Sequence, residues 1–555
     1  MKCYLVINLE SLNSNHIKEY NKIYSKKYFF VNYLNKFIAL QKDEVALSSF
    51  FSRNNSYTIL YRYLCYALLI RKLSRNYNLQ IKTQNYVLFK FLKTNFTNKK
   101  ISIIYAGGLK GQIYSKKIYL NFFKRLLLII YYIYTNITAR SEHRKISLDK
   151  SKKILLVDTT FIPSSFINNK FSDRYFGNNK LSKIKKNIYF TPDNLLFGDI
   201  KKSIAIIKKY KIKIIYRFDY LKLSDYLHSL FKSAIFKFNK DFLFYKYKNL
   251  DLSVLIKYDQ MNAVFNFNFY IGLTNIRFFK RLKEENILLD KVINWNENQP
   301  SDKGFVYGVR KYYKNICISG YAPYFVNYEY FFDRQPILSE KKKNFIPDNL
   351  LVPSTKHCHL VNKFLNKLKL KKAPMFRFIK PKSIDSTKND LIPNSILVVF
   401  PIERYEAEYI FGAIKSINLN FKKIYLSFHP DFSTHEINKF KKKFNKNFYL
   451  CNKNIYKIIS KVDFVISSSS SVTIEALLMK KNIITLVNSK YLIDSPLVNF
   501  LKFKNITIAY SINDLNKILL SKFNSKEKIF PKNFYQKIND DLFANKIQRV
   551  DNFLR

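Results

Sequence analysis

The sequence predicts an α/β protein with two Rossmann-like lobes facing a cleft, preceded by a helix-rich N-terminal extension. Three observations carry that expectation. From Lys152 onward, short runs rich in Ile, Val, Phe and Tyr alternate with amphipathic stretches, as in parallel sheets covered on both faces by crossover helices. The alternation breaks at a polar, lysine- and proline-containing stretch, residues 371–393, and then restarts. No repeat period is visible, so the two halves read as two lobes rather than a stacked array. The expected organisation is residues 1–150 as a helix-rich region without an assigned role, 151–370 as a first lobe, 371–393 as a linker, and 394–555 as a C-terminal lobe.

Each part has its own signals. In the N-terminal region the glycine cluster AGGLKGQ (Gly107, Gly108, Gly111) follows the strand-like ISIIY. Glycines after a strand can cradle a phosphate, but here they match no fingerprint spacing and no clear helix pattern follows, so a plain turn is expected. The most apolar stretch, around residues 126–137, is about a dozen residues, too short to span a bilayer; it reads as a buried or interfacial helix. The N-terminus has no signal-peptide pattern. In the first lobe KKILLVDTTFIP, KNIYFTP, KIKIIYRFDY and KVINWNENQP carry strand signals. In the second, SILVVFPIE, KKIYLSFHP, NFYLCNK, VDFVIS and NIITLVN do so.

Composition narrows the function classes. The 555-residue chain carries a formal charge of +58, which points to polyanionic partners such as nucleic acid or an anionic membrane surface. Much of that excess accompanies an enrichment in Lys, Asn, Ile, Phe and Tyr of the kind an AT-rich genome favours. The basic residues are spread throughout, with no RNP or helix-turn-helix signature, so no specific nucleic acid is expected. Five cysteines without CxxC spacing indicate neither a zinc site nor a disulfide framework and suit a reducing cytoplasm, with residence on the inner face of the plasma membrane compatible with the charge.

The stretch SSSSSVTIEALLM concentrates chemistry. It joins the strand VDFVIS to a short helical pattern, at the edge of an α/β sheet where ligands bind. Unpaired N–H groups and small hydroxyls there suit a phosphate, although one serine would serve as an N-cap in any case. Glu475, one turn into that helix, is placed to accept from a ribose. His429, followed by Pro430, ends the strand KKIYLSFHP on the same side of the sheet. In the first lobe Glu297 closes the strand KVINW and has the position of a general base. Asp158, Asp173 and Asp219 are rival carboxylates at strand ends or in loops. The histidines of KHCHL, His357 and His359, alternate as on a strand but lack a third ligand, so no metal is expected there.

The His-Pro after one strand and the D-x-V-I-S-S-S-S run after a later one together resemble the C-terminal lobe of bacterial GT-B glycosyltransferases that build surface carbohydrate, in capsule and lipopolysaccharide synthesis. The resemblance extends over about residues 152–487 and includes Glu297-Asn298-Gln299-Pro300 and the FSDRYFG segment around Asp173. Where that family has Gly-Tyr-Gln-Gly, this chain has Gly320-Tyr321-Ala322-Pro323. The resemblance implies that His429, Ser469, Ser470 and Ser471 contact the phosphate of a nucleotide-sugar donor, with a glycan or lipid-linked glycan as acceptor and no separate cofactor or metal. The expected activity is thus metal-independent glycosyl transfer, with Glu297, Asp173 and Asp158 as candidate catalytic carboxylates. Two other readings remain in view: transfer of a polyol phosphate, as in teichoic-acid-type polymerases, and a non-catalytic basic protein that binds nucleic acid or a membrane surface.

Overall fold

The computed structural model describes residues 4–142, 145–160, 187–192, 213–235, 245–365, 368–373, 392, 394–417, 421, 423–443, 448–451, 455–497 and 505–524. Strands β1 (Tyr4–Asn8), β2 (Asn78–Thr83) and β3 (Ile101–Tyr105) form a parallel three-stranded sheet in that order. The N-terminal region is therefore an α/β unit, with helices accounting for most of its length. Its second strand alternates half-buried and buried side chains, the signature of a sheet with one face on a core.

The first lobe contains β4 (Ile154–Thr159) and β5 (Ile188–Pro192), then a two-residue antiparallel pair, β6 (Lys246–Tyr247) and β7 (Leu250–Asp251), then β8 (Leu289–Trp295), β9 (Cys317–Tyr321), β10 (Asn349–Val352) and β11 (Lys369–Lys372). Six of these form a parallel sheet in the order β11-β10-β9-β8-β4-β5. Every residue of β4 is buried, because helices cover both faces. Among its described residues, the segment KIKIIYRFDY supplies a single parallel bridge, Ile214 to Phe190, before a 3-10 turn at Arg217–Asp219. Lys371 and Lys372, expected in the linker, complete β11; residues 374–391 and 393 lie outside the described residues.

The C-terminal lobe has β12 (Ser395–Val399), β13 (Lys423–Ser427), β14 (Phe448–Leu450), β15 (Phe464–Ser467), β16 (Asn482–Leu486) and β17 (Ile506–Ala509). They form a parallel sheet in the order β14-β13-β12-β15-β16-β17. The chain winds outward from β12 in one direction and then, at β15, in the other, so the topological switch lies between β12 and β15. The structure is thus the expected α/β fold of GT-B-like form: two Rossmann-like lobes and a helix-rich N-terminal region.

Two packing features join the parts. The N-terminal core, built on residues such as Leu64 and Phe91, also takes in Phe332 and Ile337 of the first lobe and Val487 and Leu492 of the C-terminal lobe. Phe325, from the loop after β9, is buried in the C-terminal lobe's core beside Leu397 and Ile474. Within the first lobe, helices Phe267–Glu284 and Pro300–Tyr312 meet backbone to backbone: a Cβ on Gly304 would lie 2.2 Å from the Gly272 carbonyl oxygen.

Candidate functional site

The carboxyl edge of the C-terminal sheet brings two of the sequence motifs to one place. His429 leaves β13 and the serine run leaves β15, and these strands are the two neighbours of β12. The stacked rings of Phe400 and Phe428, 4.5 Å apart, lie at the ends of β12 and β13. His429 is about three-quarters buried. Its Nδ1 accepts from the Asp431 N–H at 3.3 Å and lies 3.6 Å from an Asp431 carboxylate oxygen, which fixes the ring's orientation.

The five serines do different work. Ser467 is still strand, and its hydroxyl donates to the Val399 carbonyl at 2.9 Å. The Ser468 hydroxyl is fully buried without a hydrogen-bond partner among the described residues. Ser469, Ser470 and Ser471 are half-buried and form the loop itself. Ser470 caps locally: its hydroxyl accepts from Val472 N at 3.3 Å and its carbonyl from the Thr473 hydroxyl at 2.7 Å. Ser471 is the N-cap of the helix Val472–Leu478 but makes no side-chain cap. Glu475 accepts from the Tyr456 hydroxyl at 3.0 Å.

The carboxyl edge of the first lobe holds Glu297 directly after β8. Arg334 donates to its Oε2 at 2.5 Å and to its carbonyl at 2.8 Å, and Trp295 Nε1 donates to its Oε1 at 3.2 Å. Glu297 keeps about a third of its side chain exposed, while Arg334 is largely buried. The rest of the Glu-Asn-Gln-Pro motif is architecture. Asn298 adopts a left-handed backbone (φ 57°), which asparagine tolerates, and donates to the Asp333 carbonyl at 2.8 Å. Gln299 donates to the Asp333 carboxylate at 2.7 Å and precedes the helix that Pro300 opens.

Beneath this edge lies a buried charge cluster that sequence reading missed. Asp302 accepts from the backbone N–H of Glu297 (2.8 Å) and of Gln299 (3.0 Å). Burial, and then the Glu297 charge, push its carboxyl up to about 7. Glu340 pairs with Arg53 at 2.8 Å and Lys303 at 2.6 Å, all nearly inaccessible. Burial raises Glu340, and these two cations more than offset it, leaving the carboxyl below its ordinary value.

The rival carboxylates are placed differently. Asp158, at the end of β4, is ion-paired with buried Arg217, which also donates to Asn275. Asp219 is buried in the 3-10 turn. Asp173 lies outside the described residues. The KHCHL histidines sit on the helix Thr355–Val361 rather than a strand, so His357 and His359 diverge instead of sharing a face. His357 is buried 2.8 Å from the Ser354 hydroxyl, and burial lowers its imidazole to about 3.

A cavity of about 680 Å³ opens elsewhere, where the carboxyl edge of β1-β2-β3 meets the loop after β16. Glu10, Arg62, Asn85, Gly107, Tyr258 and Lys490 are among its lining residues. Glu10 is occupied by the Thr83 hydroxyl (2.7 Å) and Gln84 N (2.9 Å). Burial, followed by the Arg62 charge, brings the Lys490 ammonium down to about 8. The sequence signal here was the glycine cluster read as a plain turn. In fact a 35-residue helix, Gly108–Glu142, follows it directly, with Gly108 at φ 53°. Gly107 has no room for a side chain: a Cβ would lie 2.5 Å from the Gln84 carbonyl oxygen.

No family model matches the chain, and no curated protein matches its sequence. Solved structures do. UDP-GlcNAc 2-epimerase of Methanocaldococcus jannaschii, in complex with UDP-GlcNAc and UDP, is 12% identical with a TM-score of 0.40, over 73% of this chain and 99% of that one. The lipopolysaccharide outer core galactosyltransferase WaaB is 13% identical with a TM-score of 0.40, over 73% and 98%. MurG of Acinetobacter baumannii is 11% identical with a TM-score of 0.39, over 72% and 99%. Likeness at this level carries nothing about the reaction, and the fold rests on the chain's own sheets.

Proposed function

We propose that the chain is a glycosyltransferase of bacterial surface polysaccharide assembly, of capsule or lipopolysaccharide, that moves a sugar from a nucleotide-sugar donor to a glycan or lipid-linked glycan. The observation that carries this reading is the flanking of the β12 switch point by His429 and the serine loop. In open α/β sheets that is where a nucleotide binds. In this reading His429, Ser469, Ser470 and Ser471 donate hydrogen bonds to the donor's phosphate, and Glu475, held by Tyr456, meets the ribose. An acceptor hydroxyl gives its proton to a carboxylate while its oxygen bonds the anomeric carbon and the bond to the donor phosphate breaks. The nucleotide leaves with the charge that the loop donors then stabilise, so the reading calls for no divalent metal.

Among the candidate bases Glu297 is favoured over Asp158, because it stays partly exposed while Asp158 is buried against Arg217. The basic chain would stay near anionic lipid or an acidic glycan at the cytoplasmic face. The test is thermal stabilisation by CMP, CDP, UDP and GDP. A nucleotide at 100 times its Kd adds about 2.7 kcal/mol. One nucleotide should stabilise the wild type and neither His429→Ala nor the Ser469/Ser470/Ser471 triple alanine variant. No stabilisation of a folded wild type by any of the four would end the donor-site reading.

A further inference from the structure

We propose that the outer face of the helix Gly108–Glu142, together with the neighbouring helix Leu223–Ala234, docks this protein on an anionic membrane surface. On the long helix Leu120, Phe123, Leu127, Ile130, Tyr134 and Ile137 recur at steps of three or four residues, and each is 46–65% exposed. That is one continuous stripe. The opposite stripe, Ile129, Tyr132 and Ile133, is buried in the first lobe's core. The helix is thus apolar on two faces, only one of which the described residues cover. Scattered exposed apolar residues are normal, but an aligned row marks an interaction surface.

The second helix repeats the arrangement. Leu223, Leu227 and Phe231 step by four residues and are 51–63% exposed, while Tyr226 packs in the same core as Tyr132, ring centroids 6.4 Å apart. Both helices therefore belong to one wall of the molecule.

The charges around the stripe select the partner. From Gly108 to Ser141 the sequence has six Lys or Arg and no acid; Arg125 and Arg140 turn to Asn262 and the Leu221 carbonyl, and Lys124 stands exposed beside the stripe. On the second helix, Asp225 is consumed by Arg277 and Arg281, and Lys232 pairs with Glu44 at the surface. A second copy of the chain would set like charges together, whereas anionic headgroups match them. Among the described residues no helix is long and apolar enough to cross a membrane. The geometry is that of a helix lying in the headgroup interface, with aliphatic and aromatic side chains inserted and exposed Lys124 at the headgroups.

The test is flotation of the full chain with vesicles of phosphatidylcholine alone, and of phosphatidylcholine with about one third phosphatidylglycerol. The chain should float with the anionic vesicles and retain part of that binding at about 0.5 M salt, where charge alone is screened within roughly 4 Å. A Leu127→Asp/Tyr134→Asp variant, with unchanged circular dichroism, should lose about tenfold or more of the affinity. Three results would overturn the proposal: no flotation of the wild type, equal flotation of the double variant, or a concentration-dependent dimer that the same substitutions abolish without any effect on lipid binding. Nucleotide stabilisation of the double variant, read in parallel, keeps this outcome separate from that of the donor site.

Discussion

Arg334 holds Glu297 by both ends, its guanidinium reaching the side-chain Oε2 at 2.5 Å and the main-chain carbonyl at 2.8 Å. The carboxylate proposed as the base is therefore aimed, not free to swing. Glu297→Gln should lower transfer by about 10²–10⁴-fold, the usual contribution of a general base, while leaving nucleotide stabilisation unchanged. Because Arg334 is largely buried, removing the charge it faces should also cost about 1.5–3 kcal/mol of stability. Turnover near the wild-type rate would remove Glu297 from the mechanism.

Asp302 makes a pH prediction. Its folded carboxyl sits at about 7 because burial and Glu297 oppose ionisation, whereas in the unfolded chain it ionises near the ordinary Asp value, roughly 3.9. Between those values the folded state binds more protons than the unfolded one, so this group's contribution falls as pH rises through that window and is fully lost above it. Asp302→Asn, which can still accept from Glu297 N and Gln299 N, should flatten the decline of Tm between about pH 4 and 7. Parallel curves for variant and wild type would show that Asp302 is ionised in the native state.

Neighbouring serines should respond in opposite ways. Ser467→Ala strands the buried Val399 carbonyl and should cost about 1–3 kcal/mol without changing nucleotide binding. Ser468→Ala removes a buried hydroxyl that has no partner among the described residues; in the free protein it should be neutral or stabilising. Denaturant titration of both variants distinguishes the two roles.

Two packing changes should be severe. Gly304→Ala drives a methyl into the Gly272 backbone, which has no side chain to give way; overpacking costs about 1–3 kcal/mol. Phe325→Ala leaves a cavity in the C-terminal lobe's core, where the loss should be about 3–5 kcal/mol. Circular dichroism melts measure both. A Phe325→Ala protein as stable as the wild type would mean that this ring does not join the lobes.

Strand ends were legible wherever an apolar run gave way to chemistry, as in KIYLSFHP and DFVISSSS, because a two-sided parallel strand needs its own local pattern. Short strands escaped: β17 is only four residues and β11 reads Lys-Leu-Lys-Lys. The state of each carboxylate was not legible either. Asp158 depends on Arg217 and Glu297 on Arg334, partners 59 and 37 residues away that no local window contains. The cavity at Arg62 and Lys490 was hidden for the same reason, its walls coming from six segments spread from Leu9 to Tyr491. Only the glycine pair beside it was visible, and it lacked a recognisable helix to give it meaning.

The N-terminal region grips both lobes at once. Asn21 bonds Tyr491 O and Ile493 N in the C-terminal lobe, and Arg53 is locked to Glu340 in the first. A swing of one lobe against the other would have to break one of these grips and tear the shared core with it. The extension is then a brace that sets one lobe against the other before any ligand arrives. A ligand of such a frame would spend no binding energy on drawing the lobes together.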